Sequence, residues 1–80
     1  MGKPLVEAKI EMQVAIDLLR WYGEEGKRVY GRIIPSRIPN MEHEARKVPV
    51  GPVLAFVAWN FPATNVMRKV AGALAAGCSI

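Results

Sequence analysis

The chain has 80 residues and a mass of 8.8 kDa, which allows one small domain at most. Eleven Lys and Arg against seven Asp and Glu leave a net charge of +4, and a 51% hydrophobic, 22% charged composition excludes a disordered tail. A single Cys excludes an internal disulfide framework, and one Cys with one His cannot build a structural zinc site, so no metal is expected.

No targeting segment is visible, because Met1-Gly2-Lys3-Pro4-Leu5-Val6-Glu7 has no apolar stretch after its basic residue. The longest apolar run, Val48 to Phe61, is broken by Pro49, Gly51, Pro52 and Asn60. It also falls short of the about 20 residues needed to span a bilayer. A soluble, reducing, cytoplasmic setting is the default expectation, with no membrane partner.

In chain order, the first expected element is a helix over residues 6–30. Ile10, Val14, Leu18, Trp21, Tyr22 and Val29 recur near helical spacing, with Ala15 and Leu19 widening the stripe. Lys9, Gln13, Asp17, Arg20, Glu24 and Lys27 occupy the other side. Glu7 and Glu11 are a like-charge pair whose place near the helix start suits the helix dipole. Gly23 and Gly26 weaken the second half and can admit another backbone, and Gly31 reads as the stop.

Residues 31–47 read as extended pieces and turns, with Arg32-Ile33-Ile34 as a short strand. Residues 48–80 read as a strand followed by a helix. Val53 to Val57 has no polar residue, as in a strand buried on both faces of a parallel sheet. The helix runs from about Pro62 to Ala76, with Met67, Val70, Ala71 and Leu74 as its stripe and Gly77 as its terminal glycine. Cys78-Ser79-Ile80 then opens another strand, so the order is most of a βαβ unit. The class is α/β: one long helix, irregular strands, and one strand and helix of a Rossmann-like unit that is incomplete as given.

The turn from Ala58 to Pro62 is the most informative segment, since ligands of open α/β sheets bind beyond strand ends. Asn60 falls there. Its amide can meet a developing oxyanion without changing protonation state, or it can simply end the strand or cap the helix. Trp59 reads as a core aromatic, with a ligand contact as the alternative. Cys78 follows a helix C-terminus, where the dipole disfavours a thiolate, and reads as buried and inert. His43 reads as an exposed side chain in a charged loop. Glu24 and Glu25 are adjacent and do not face each other on a helix, so they are not a catalytic pair. The basic middle, with Tyr22 and Tyr30 among Arg20, Lys27, Arg28 and Arg32, is interrupted by four glutamates and carries no nucleic-acid motif.

Taken together, Pro49-Val50-Gly51-Pro52-Val53, Trp59-Asn60-Phe61-Pro62, Arg68-Lys69 and the run Ala73 to Cys78 resemble the aldehyde dehydrogenase superfamily. Gly2-Lys3-Pro4-Leu5 with Glu7-Ala8, then Glu24-Glu25, Lys27 to Gly31 and Ile34-Pro35, match the same family in the same order. The wording from Glu24 to Pro35 is most similar to the succinate-semialdehyde dehydrogenase-like branch. The resemblance implies NAD- or NADP-dependent oxidation of an aldehyde to a carboxylic acid through a cysteine thioester. A semialdehyde such as succinate semialdehyde is among the candidate substrates. It implies that Asn60 supplies the side-chain half of the oxyanion hole. It further implies that Phe56, Val57, Ala58, Trp59 and Asn60 line the cofactor cleft, that Cys78 is not the nucleophile, and that the complete enzyme is a homo-oligomer.

Two positions depart from the family pattern: Ala58 and Gly72 stand where its members usually have proline. Both bear on backbone rigidity around the cofactor strand and leave Asn60 in place. The segments expected to carry the nucleophilic cysteine and the general-base glutamate lie beyond Ile80, so the chain reads as an N-terminal-proximal piece of such an enzyme, inactive alone. The alternative is a stand-alone protein-interaction module that keeps an enzyme's outline.

Overall fold

The structure is a computed structural model covering residues 1–80. The first helix, α1, spans Leu5–Glu25 and follows Pro4, whose carbonyl accepts the Ala8 N–H at 3.0 Å. Glu7 lies in its first turn, where an acid suits the helix dipole. The helix stops short of the expected Tyr30. It tightens into a single 3-10 turn over Gly26–Arg28, a common way for a helix to end. Val29 (φ −77, ψ 66) then makes an inverse γ-turn, closed by the Tyr30 N–H donating to the Arg28 carbonyl at 2.8 Å.

Gly31 is therefore not the helix stop; it serves the hairpin that follows. Strands β1 (Arg32–Pro35) and β2 (Glu42–Ala45) pair antiparallel, with Ile33 opposite Glu44 and Ile34 opposite His43. A Cβ on Gly31 would lie 2.5 Å from the Ala45 carbonyl oxygen, so only glycine allows this approach. Strand β2 was not expected from Glu42-His43-Glu44-Ala45, because both of its faces meet solvent and no apolar alternation marks it. His43 thus sits in a strand rather than a loop, and it is exposed as expected. In the connection, Ser36 Oγ accepts the Ile38 N–H at 3.0 Å and Asn40 adopts a left-handed φ of 63.

The second helix, α2, spans Thr64–Ala75. Its hydrogen bonding begins ahead of that span, with the Asn65 N–H donating to the Phe61 carbonyl at 2.9 Å, so Pro62 sits in the first turn where its missing N–H costs nothing. A Schellman motif ends it. Gly77 has φ 78, the Cys78 N–H donates to the Ala73 carbonyl, and the Gly77 N–H donates to the Leu74 carbonyl.

The expected strand over Val53 to Val57 forms no ladder. Its one backbone link is the Val53 N–H donating to the Ser79 carbonyl at 2.9 Å. A strand is defined by its neighbours, and a single hydrogen bond joins the two segments of the expected parallel crossover.

Helices α1 and α2 pack side by side and run in the same sense: Glu11 meets Thr64, the Tyr22 ring covers Gly72, and Gly26 meets the backbone of Ala75. Small residues make this possible. Ala15 and Ala71 are buried, and a Cβ on Gly26 would come within 3.3 Å of the Ala75 carbonyl oxygen. The face of α1 that packs is therefore Ala8, Glu11, Ala15, Leu18 and Tyr22, offset from the expected stripe. Ile10, Val14, Leu19, Trp21 and Val29 remain exposed, because α2 is short and covers only the small-residue face.

Candidate functional site

Asn60 lies in the turn between the extended segment and α2 and is exposed. Three interactions fix the backbone on either side of it. On the N-terminal side, Asn65 Nδ2 points at the Ala58 carbonyl at 3.5 Å, the long end of hydrogen-bond geometry. On the C-terminal side, the ammonium of Lys3 sits 3.9 Å over the ring centre of Phe61, a cation–π contact. Beyond that, Glu11 of α1 reaches across to the start of α2.

Glu11 is the centre of this arrangement. Its Oε1 accepts the Ala63 N–H at 2.8 Å and the Thr64 N–H at 3.2 Å, while Oε2 accepts from Lys3. Its backbone carbonyl accepts Thr64 Oγ1–H at 3.3 Å. The first N–H groups of a helix have no partner within the helix, and here a carboxylate from another helix satisfies them. The hydrogen bond from Lys3 holds the Glu11 carboxyl below its ordinary range; burial opposes this, and the two backbone amides reinforce it. The side chains of Lys3 and Glu11 are only 10% and 5% exposed, so this ion pair differs in kind from Lys27–Glu24, Arg28–Glu25 and Arg46–Glu44 on the surface.

Sequence reasoning placed Glu11 among the acids of the helix start and missed its role. The available signal was its register: Ala8, Glu11, Ala15 and Leu18 fall on one face at helical spacing, and a charge inside a small apolar face calls for a partner. The helix-cap reading of Asn60 does not hold. Ala63 precedes α2 without a side-chain cap, and the capping acceptor comes from Glu11 instead.

The other expected site residues follow one another along the chain. Phe56 is 82% and Trp59 76% exposed, and Val57 and Ala58 are also open to solvent. Trp59 finds no core within this chain. Phe56 lines a groove of about 480 Å³ between the extended segment and α2, together with Leu54, Ala73 and Cys78. A cleft of similar volume lies on the other side of α2, walled by Lys3, Glu11, Phe61 and Arg68, and does not include Asn60. Cys78 is buried, as expected. No group of three or more His, Cys, Asp or Glu side chains is placed to hold a metal ion.

The two departures from the family pattern are accommodated locally. The Ala58 carbonyl is the group that Asn65 approaches. At Gly72 an added Cβ would lie 3.5 Å from the Tyr22 ring, ordinary van der Waals contact.

Comparison with known proteins bears on this arrangement directly. The aldehyde dehydrogenase family profile matches residues 1–80. The chain is 58% identical over 79 residues to a 4-(hydroxymethyl)benzenesulfonate dehydrogenase of Comamonas testosteroni, covering 99% of this chain and 17% of that protein. It is 52% identical over 77 residues to a succinate semialdehyde dehydrogenase of Acinetobacter baylyi, covering 96% of this chain and 16% of that protein. The crystal structure of an NADP-dependent enzyme of E. coli superposes with a TM-score of 0.94 at 46% identity, over 98% of this chain and 16% of the other. The chain thus spans about a sixth of the length of these relatives, in the same α/β arrangement as the matching part of the solved enzyme. On the full-length match and these identities, the chain belongs to the aldehyde dehydrogenase family.

Proposed function

We propose that the complete protein carrying this segment is an NAD(P)-dependent aldehyde dehydrogenase, and that Asn60 is its side-chain oxyanion donor. The family match over all 80 residues carries this reading. The relatives named for semialdehydes support a semialdehyde as substrate class, and the NADP-dependent neighbour supports NADP as a usable cofactor. The segment alone lacks a nucleophile and a general base, and is inactive.

The residues of the chain fit a dinucleotide in one respect and constrain it in another. Phe56 and Trp59 offer exposed flat apolar surfaces beside the turn, suited to a planar ring. The amino end of α2, where a Rossmann-type fold would seat a phosphate, already holds the Glu11 carboxylate. Phe56 to Asn60 would thus form a wall of the cofactor cleft, and the start of α2, occupied by the Glu11 carboxylate, would not hold its phosphates. When bound, the cofactor supplies the hydride acceptor.

When a cysteine thiolate adds to an aldehyde, the carbonyl oxygen takes up the negative charge. The amide N–H of Asn60 donates to that oxygen and stabilises the tetrahedral adduct, whose collapse to the thioester carbonyl expels the hydride. The resulting thioester is then hydrolysed to the acid. Loss of one such donor typically costs about 10²–10³ in kcat, or roughly 3–4 kcal/mol. In the complete enzyme, Asn60→Ala lowers the single-turnover hydride-transfer rate by that order, with cofactor affinity by fluorescence little changed. Asn60→Asp is at least as harmful, since a carboxylate repels the oxyanion. Near-normal hydride transfer with tenfold weaker cofactor binding would assign Asn60 to the cofactor instead.

The exposed apolar residues from Val50 to Trp59 would also suit a protein-interaction module. Coding sequence past Ile80 separates the two readings. A continuation bearing a glutamate base and a cysteine nucleophile supports the enzyme, and a stop codon there supports the module. The β1–β2 hairpin, with all eight strand residues exposed, offers free edges through which the complete enzyme self-associates.

A further inference from the structure

Asn60 is three residues ahead of Ala63, and nothing in its own turn is buried deeply enough to fix it. The rigid point nearest to it is the start of α2. There, a single carboxylate from α1 accepts two consecutive backbone amides, and its other oxygen accepts from Lys3. Lys3 in turn lies over Phe61, the residue directly after Asn60. One buried ion pair thus grips the chain at 61, 63 and 64, and Thr64 ties back to the Glu11 carbonyl. Few side chains of this chain are buried, and Glu11 and Thr64 are two of them.

We propose that Glu11, held by Lys3, is a positioning residue for the oxyanion donor: by locking the first turn of α2 to α1 it sets where the Asn60 amide points. This rests on the assignment of Asn60 as that donor. Glu11 lies on α1, outside the turn that carries Asn60, and acts through that turn. The lowered pKa of its carboxyl agrees with a group that stays charged while it does so. A misplacement of about 1 Å in a catalytic group can cost on the order of 10²-fold in rate. Glu11→Asp withdraws the anchoring carboxylate by one carbon–carbon bond, about 1.5 Å, from the Ala63 and Thr64 amides, while keeping the charge that pairs with Lys3.

The test uses the complete enzyme, single-turnover hydride transfer, and cofactor binding measured separately. Glu11→Asp slows hydride transfer tenfold or more and leaves the cofactor Kd within twofold. Added to Asn60→Ala, it slows the reaction by less than a further twofold, because a misaimed donor and an absent donor are equivalent. Glu11→Gln combined with Lys3→Met restores the rate to within about fivefold of the parent. The amide oxygen still accepts both N–H groups, and no donor is left facing the new amide nitrogen. Should Glu11→Asp fail to fold, Glu11→Gln alone, with Lys3 facing its amide nitrogen, carries the same cycle. Parent-like hydride transfer in the perturbed variant, or losses that multiply fully with Asn60→Ala, would overturn the positioning role and leave the oxyanion role standing. An Asn60→Ala enzyme with undiminished hydride transfer would remove the oxyanion role itself, and with it this proposal.

Discussion

Cys78 lies one residue past the left-handed Gly77, and its N–H donates to the Ala73 carbonyl. The carbonyl end of α2 faces it, and only 6% of the residue is exposed. Its neighbours are apolar, and it lines the groove beside Phe56 as packing material. In the complete enzyme, Cys78→Ser keeps turnover within a few-fold of the parent and still forms the acyl-enzyme, as mass spectrometry of a quenched reaction would show. Loss of the thioester in a folded variant would make Cys78 the nucleophile. Glu11 is the opposite case at this scale. Its charge says surface, its register says interior, and Lys3 resolves the conflict because a buried charge persists only when paired.

Among the elements, the hairpin and α1 give glycine opposite meanings. Gly31 is required by a neighbour's backbone, since its added Cβ would sit 2.5 Å from the Ala45 carbonyl oxygen, which cannot yield as a flexible side chain can. Gly23 sits in α1 with nothing within 4 Å of an added Cβ. Gly31→Ala therefore costs about 1–3 kcal/mol as the hairpin is forced open. Gly23→Ala, in contrast, adds up to about 1 kcal/mol of helix preference. Urea midpoints of the two variants in the complete enzyme should move in opposite directions; a Gly31→Ala protein as stable as the parent would mean that β1 and β2 separate freely. The helix pair follows the same logic. Gly26, Ala71 and Ala75 let α1 and α2 approach closely, and that close approach is what brings Glu11 within reach of Ala63 and Thr64.

For the molecule as a whole, the radius of gyration is 18.2 Å and the extents are 65 × 22 × 17 Å. A compact domain of this length would have a radius of gyration of about 12 Å. The accessible surface of 6651 Å² likewise exceeds the about 4,800 Å² of a globular protein of this mass. Only five residues are buried, too few to offset the chain entropy of ordering the rest. The isolated chain therefore lacks cooperative stability. Circular dichroism should show some helix that fades gradually in urea, and a sharp transition from a monodisperse monomer at micromolar concentration would contradict this. The exposed Val48, Val50 and Leu54, which stand outside the proposed cofactor wall, are the apolar surface expected to be covered in the complete protein.

The sequence by itself determined the two helices and their order, the glycine stop at Gly77, the burial of Cys78 and the family. These depend on local backbone preference or on runs of residues read in order, which need no knowledge of what lies opposite. Tertiary structure alone decided which face of α1 is buried, that Glu42 to Ala45 forms a strand, and that Val53 to Val57 stands without a ladder. Each of these depends on a partner: a short small-residue helix selects Ala15 over Val14, and a neighbouring backbone makes a strand of a polar run. The same holds for the turn that carries Asn60. Its residues were legible in the sequence, but its anchor was not, because Glu11 lies 52 positions from the amide of Ala63 that it holds, and only packing brings them together.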